Sequence, residues 1–115
     1  MRRGDIYWAD LAPRSGSEQR GRRPVIILSH DAFNQTPNWR SIIVVPLSTS
    51  TAQARRGPTA VPFARGTGGL AQNSVALCHQ VTTLDRAKLT AHIGALLPAE
   101  LKQVEDGLKA ALDLS

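Results

Sequence analysis

The strongest constraint on the fold is a set of short β-rich runs, each closed within a few residues by proline, glycine or a polar turn. Val25-Ile26-Ile27-Leu28 is four consecutive apolar residues, too short for a helix and suited to a strand buried on both faces. Ile6-Tyr7-Trp8-Ala9-Asp10-Leu11 reads as an earlier strand stopped by Ala12-Pro13, and Ser41 to Leu47 as a later one. Pro46 near the end of that run predicts an edge or a bulge. Thr59 to Phe63, Ser74 to Val81 and Ala91 to Leu96 read as further strands. Single helical turns are expected at Ser29–Asn34 and Leu84–Leu89, and a basic loop over Gln53–Pro58. One long helix starts at Pro98, with Leu101, Val104, Leu108 and Leu112 on a single stripe. The expectation is a mainly β fold, a small bent barrel with a C-terminal α-helix. At 115 residues and 42% hydrophobic content, one domain over 1–115 is expected.

Between the first two runs lies Gly16-Ser17-Glu18-Gln19-Arg20-Gly21-Arg22-Arg23-Pro24, a charged loop hung from a rigid strand. Pro24 biases Arg23 towards extended geometry and makes it the best-anchored cation of the loop. The net charge of +5 is concentrated in the middle, where residues 11–84 hold eight arginines against Glu18 and Asp31. Guanidinium matches phosphate with a planar fork that ammonium lacks. A polyanion is therefore the expected partner, nucleic acid before membrane, since the chain has no long apolar span. Aromatic content of 4% argues against a broad base-stacking platform. Cys78, the one cysteine, excludes an intrachain disulfide and reads as a small core residue. The start Met1-Arg2-Arg3-Gly4-Asp5 lacks the apolar segment of a signal peptide, so a cytoplasmic location is expected.

His30, His79 and His92 show no metal-ligand spacing, no G-x-S-x-G elbow is present, and Arg65-Gly66-Thr67-Gly68-Gly69 lacks the context of a phosphate-binding loop. No metal and no cofactor is expected. Metal-free chemistry on a phosphate fits what remains. RNA suits it best because it brings its own nucleophile, the 2′-OH.

Arg3-Gly4-Asp5-Ile6-Tyr7-Trp8-Ala9-Asp10-Leu11, Gly16-Ser17-Glu18-Gln19, Arg22-Arg23-Pro24-Val25, Val44-Val45-Pro46-Leu47-Ser48 and Asn73-Ser74-Val75-Ala76-Leu77 with Gln80 together resemble the MazF/PemK (Kid) toxins of bacterial toxin–antitoxin systems. The resemblance runs in order over nearly the whole chain. It implies an SH3-like barrel, a homodimer, and a ribosome-independent endoribonuclease that cuts single-stranded RNA at short sequences. It also implies an antitoxin whose acidic tail covers the RNA groove, and products with a 2′,3′-cyclic phosphate or 3′-phosphate and a 5′-OH.

By position the resemblance makes Arg23 the catalytic arginine, Ser48 the catalytic hydroxyl with Thr49 as its alternative, and Glu18 a candidate base. Glu18 reads equally well as a loop acid paired with Arg20 or Arg22. Ser17, Gln19, Arg20, Arg22, Thr49, Arg55, Arg56 and Gln80 are the candidate RNA-binding residues, with Arg14 on the same basic rim. His79 stands where relatives often have an acid, and Thr82 where many have arginine. His79 reads more readily as structural than as a proton carrier. A gyrase poison of the same barrel is an alternative, but those toxins act through a C-terminal tryptophan and this chain reads Ala111-Leu112-Asp113-Leu114-Ser115. A non-catalytic RNA-binding module is the third reading.

Overall fold

The structure, a computed structural model, describes residues 1–11 and 21–115, without the side chains of Thr51, Gln53 and Arg56. Seven strands form one antiparallel arrangement: β1 (Asp5–Leu11), β2 (Gly21–Ile27), β3 (Ser41–Ser48), β4 (Ala60–Phe63), β5 (Ser74–Leu77), β6 (Thr82–Asp85) and β7 (Leu89–Ala95). Their order is β4-β5-β3-β2-β1-β7, with β6 paired to β3. The sheet curls into a barrel-like fold. A four-residue helix α1 (Asp31–Asn34) follows β2, and α2 (Pro98–Leu112) ends the fold. Among the described residues no helix is long and apolar enough to cross a membrane.

The continuous apolar runs are explained by burial on two sides, as Val25–Leu28 predicts. Ile6, Ile26, Leu28, Val45 and Leu47 face Val104 of α2 together with Val61, Phe63 and Cys78. The other face carries Ala9, Leu11, Val25, Ile27, Ile42, Val44 and Leu84. Cys78 is fully buried, as expected of a core residue, and burial pushes its thiol up to about 11.

Pro46 is neither at an edge nor in a bulge, because β3 lies between β2 and β5. The Ile43 carbonyl accepts from Leu28 N–H at 2.9 Å, so residues 43, 45 and 47 turn their backbone to β2 and Pro46 turns the other way. On that side β3 pairs with β6 up to Val44 and with β5 from Leu47. The missing N–H therefore falls where the partner strand changes, and no ladder bond is lost.

Three boundaries differ from the sequence expectation for the same reason. The strand starting at Ser74 ends at Leu77, and Cys78–Gln80 form a 3-10 turn that carries the chain across this gap. Residues Thr82–Asp85 then add to β3, and the expected helical turn shrinks to Arg86–Lys88. The last strand starts at Leu89. The stretch Thr51–Thr59 is wound into 3-10 turns with a kink at Gly57.

Helix α2 begins as proline at its first position predicts, and the Glu100 carboxylate accepts the Leu97 N–H at 2.8 Å. Val104 is the centre of its apolar stripe, with Leu101, Leu108 and Ala111 beside it. Leu112 departs from the expected stripe and is 53% exposed. Gly107 allows the helix to sit close: a Cβ there would lie 2.7 Å from Cys78 Sγ and 3.0 Å from Val61 Cγ2. The glycine-rich turn has a similar role. A Cβ on Gly94 of β7 would lie 2.1 Å from the Gly68 carbonyl, so this turn and β7 meet backbone to backbone. At the other end, Arg3 joins three elements: its N–H donates to Asp31 Oδ1 at 2.7 Å, its Nε to the Leu28 carbonyl at 2.9 Å, and its Nη1 pairs with Glu105 at 2.6 Å.

Candidate active site

Arg22 and Arg23 open β2 opposite Asp10 and Ala9 of β1, and both are exposed. Neighbouring residues of a strand face opposite sides of the sheet. Arg22 lies on the side of Trp8, with its guanidinium carbon 4.4 Å from the centre of the indole ring. Arg23 lies on the side of Val25 and Ile27. Reading by charge alone misses this contact, but the alternation of β1 and β2 in one register contains it: Trp8 pairs with Pro24 and Asp10 with Arg22, so Trp8 and Arg22 are diagonal neighbours.

β2 and β3 pair as Val25 with Pro46, Ile26 with Val45 and Ile27 with Val44. Carried two residues past the last pair, that register sets Arg23 against Ser48. The two then share a side of the sheet, the side of Val25 and Val44. Ser48 is the last residue of β3 and is 7% exposed. Its Oγ accepts the Ser50 N–H at 3.1 Å, which turns the chain away from the strand. Thr49, the alternative hydroxyl, is exposed on the rim immediately after it.

Beside Ser48 opens a cleft of about 320 Å³, lined by Thr49, Ser50, Pro62, Phe63, Asn73, Ser74 and Val75 among others. Phe63, Val75 and Pro62 supply its apolar lining, and its rim is hydroxyl and amide. Asn73 Oδ1 accepts the Arg65 N–H at 2.8 Å, and Ser74 Oγ donates to the Gln72 carbonyl at 3.0 Å. The sequence reading did not single out this cleft, because its walls come from residues 49–54, 62–64 and 73–75 and only pairing of β4 with β5 brings them together.

The other candidates are spread around this centre. Arg55 is exposed in the Thr51–Thr59 turns that follow Ser50; Arg56 belongs to the same turns, and its side chain lies outside the described residues. Gln80 ends the turn that crosses the gap beside Pro46, with its Nε2 3.5 Å from His79 Nε2. Ser17, Glu18, Gln19 and Arg20, with Arg14, lie outside the described residues. The register thus sets Arg23 and Ser48 on one side of the sheet, with Thr49 next in the chain after Ser48.

Comparison with known proteins gives the same direction. Residues 2–112 match the family described as PemK-like, MazF-like toxin of type II toxin–antitoxin system. The chain is 35% identical over 114 residues to the endoribonuclease MazF of Staphylococcus saprophyticus, covering 99% of this chain and 92% of that one. Its fold is similar to the Mycobacterium tuberculosis toxin MazF-mt6 (28% identity, 96% of this chain and 98% of that one, TM-score 0.78). It is also similar to a chain of a MazE-MazF crystal structure from Deinococcus radiodurans (25% identity, 100% and 97% covered, TM-score 0.74). With a match over nearly its whole length and this fold, the chain belongs to the PemK-like, MazF-like toxins of type II toxin–antitoxin systems.

Proposed function

We propose that this protein is a toxin endoribonuclease that cuts single-stranded RNA at short sequences without a metal ion, and that an antitoxin restrains it. The observation that carries the reading is the register of β2 and β3, which directs an exposed guanidinium and a strand-end hydroxyl to one side of the sheet. An RNA phosphodiester seated there supplies its own 2′-OH. That oxygen attacks phosphorus in line, the bond to the 5′-oxygen breaks, and a 2′,3′-cyclic phosphate and a 5′-OH result. Hydrolysis of the cyclic ester gives the 3′-phosphate. Arg23 neutralises the charge that builds on the non-bridging oxygens, and the Ser48 hydroxyl hydrogen-bonds the same group. An arginine side chain stays protonated and is a poor base, so the proton of the 2′-OH goes to another acceptor, for which Glu18 is the candidate.

The cleft beside Ser48 is large enough for one nucleobase, and its apolar floor and polar rim suit stacking with edge recognition. Thr49, Arg55, Arg56, Gln80 and the residues Ser17, Gln19, Arg20 and Arg22 then contact the RNA. The basic middle of the chain suits the acidic tail of an antitoxin, as the toxin–antitoxin character of the family supports. A homodimer, one domain over 1–115 and a cytoplasmic location complete the reading.

The test is to incubate the purified protein with a long RNA in a chelator and map new 5′-OH ends. Discrete ends sharing a short sequence, lost in Arg23→Ala, are expected. RNA bound but left uncut by the parent protein would favour the non-catalytic reading.

A further inference from the structure

Far from Ser48, at the opposite end of β3, the fold exposes two stacked aromatic rings. Phe33 of α1 and Trp39, two residues before β3, have ring centres 4.8 Å apart at a tilt of 32°. They are 44% and 43% exposed. In a chain with only five aromatic residues this pairing at the surface is unexpected, and composition argued against it.

The pair is held in place by the chain beneath it. Arg86 donates through Nε to the Trp39 carbonyl at 2.9 Å and through Nη2 to the Phe33 and Thr36 carbonyls, each at 3.1 Å. Trp39 Nε1 donates to the Ser41 carbonyl at 2.7 Å, which fixes the indole. His30 meets Phe33 edge-on, with centres 6.4 Å apart. The rings are therefore ordered before any ligand arrives, and little entropy remains to be lost on binding. The rim is cationic. Arg40 pairs with Asp85 at 2.8 Å, whereas Arg86 is held by carbonyls and not by a carboxylate, and Lys88 is exposed at the end of the same short turn. Arg86 touches both ring-bearing segments and Arg40 follows Trp39 directly, while the nearby carboxylates are already engaged, Asp85 by Arg40 and Asp31 of α1 by the Arg3 N–H and Asn34.

We propose that Phe33 and Trp39 form a second contact for single-stranded RNA, stacking a base outside the segment that is cut while Arg40, Arg86 and Lys88 attract its phosphates. This rests on the RNA substrate proposed above. Every base offers a π-face, so the contact is tolerant of sequence and adds affinity and not cut-site choice. β3 spans eight residues from Ser41 to Ser48, which at about 3.3 Å per residue separates the two contacts by more than about 20 Å. An RNA of about five nucleotides centred on the cut site leaves only two on either side, too few to span that gap.

Two RNAs carrying a 2′-deoxy nucleotide at the mapped cut site, one of about five nucleotides and one of about fifteen, test this by their Kd values. The parent protein is expected to bind the longer RNA about tenfold more tightly, in line with one base–aromatic stack. In Trp39→Ala, and in Trp39→Leu, which keeps apolar bulk, the ratio should fall to near one, and in Phe33→Ala it should fall in part. A thermal melt identifies any variant that has not folded. Folded Trp39 variants that keep the parent ratio, or that lose affinity equally for both lengths, overturn the proposal and leave the rings to a protein partner. A parent protein that cuts no RNA gives no mapped site and sinks the ribonuclease reading; a length dependence measured on unmodified RNAs of the same two lengths, and lost in the Trp39 variants, would still uphold this contact.

Discussion

Arg22 stacks over Trp8, 4.4 Å from the ring centre, while Arg23, one residue on, leaves the strand on the opposite side. On the proposed mechanism the two adjacent arginines do different work. Arg23→Ala is expected to lower the cleavage rate by at least about 100-fold, the scale of one lost donor to a developing oxyanion, with Tm nearly unchanged because the side chain is exposed. Arg23→Lys should not restore it, since an ammonium lacks the planar fork. Arg22→Ala should show the reverse pattern, losing about 0.5–1 kcal/mol of stability and some affinity for RNA, but little of the rate at saturating RNA. Rates on a defined RNA with parallel thermal melts check both.

Ser48→Ala removes a hydroxyl that is buried against the Ser50 N–H. One such hydrogen bond contributes about 1 kcal/mol, so Tm should drop by about 3–6 °C. Cleavage should fall much further than that, and Ser48→Thr should retain both. A Ser48→Ala protein that cuts at the parent rate would remove the hydroxyl from the mechanism.

How far the chain was legible depended on whether a feature is local. The strand cores, the helix start at Pro98 and the burial of Cys78 follow from neighbouring residues, and all were readable. What eluded the sequence was non-local. Pro46 looks like an edge residue until two different strands are placed on the same side of β3. The same switch shortens the strand at Ser74 and converts Leu84 from a helical turn to strand. At the site, Arg23 and Ser48 came from a resemblance, whereas the Trp8–Arg22 stack and the cleft over Phe63 need the register of strands distant in sequence.

Gly107→Ala sets helix propensity against packing. Alanine is better than glycine in a helix by about 1 kcal/mol, but its Cβ would meet Cys78 Sγ at 2.7 Å. Crowding of a filled core costs about 1–3 kcal/mol, so the single variant should melt lower than the parent. Adding Cys78→Ala removes the obstructing sulfur. The double variant should then be more stable than the sum of the two single changes predicts, read from denaturant midpoints in a four-protein cycle.

Asp31 makes stability depend on acid. Its carboxylate accepts the Arg3 N–H and Asn34 Nδ2, at 2.7 and 3.1 Å, and the Arg3 bond foremost holds its pKa below the ordinary value. The folded chain therefore binds this proton less readily than the unfolded one. The stabilisation is complete above the ordinary carboxylate range, near pH 4, and is lost as pH falls through the lowered folded value. Urea midpoints of the parent and Asp31→Asn should differ at about pH 6 and converge at about pH 2.5. A gap of constant width at both pH values would remove Asp31 from the acid response.

The register that sets Arg23 on the side of Ser48 is held by apolar residues. Val25 and Ile27 fit against Pro46 and Val44, and those buried contacts act as a ruler for the two polar groups beyond them. Because side chains alternate along a strand, sliding β2 by a single position would turn the guanidinium to the wrong side while leaving every reactive atom in the molecule. On the proposed mechanism, silent-looking exchanges among these valines and isoleucines would yield an inert toxin, with the damage done well away from the two polar groups.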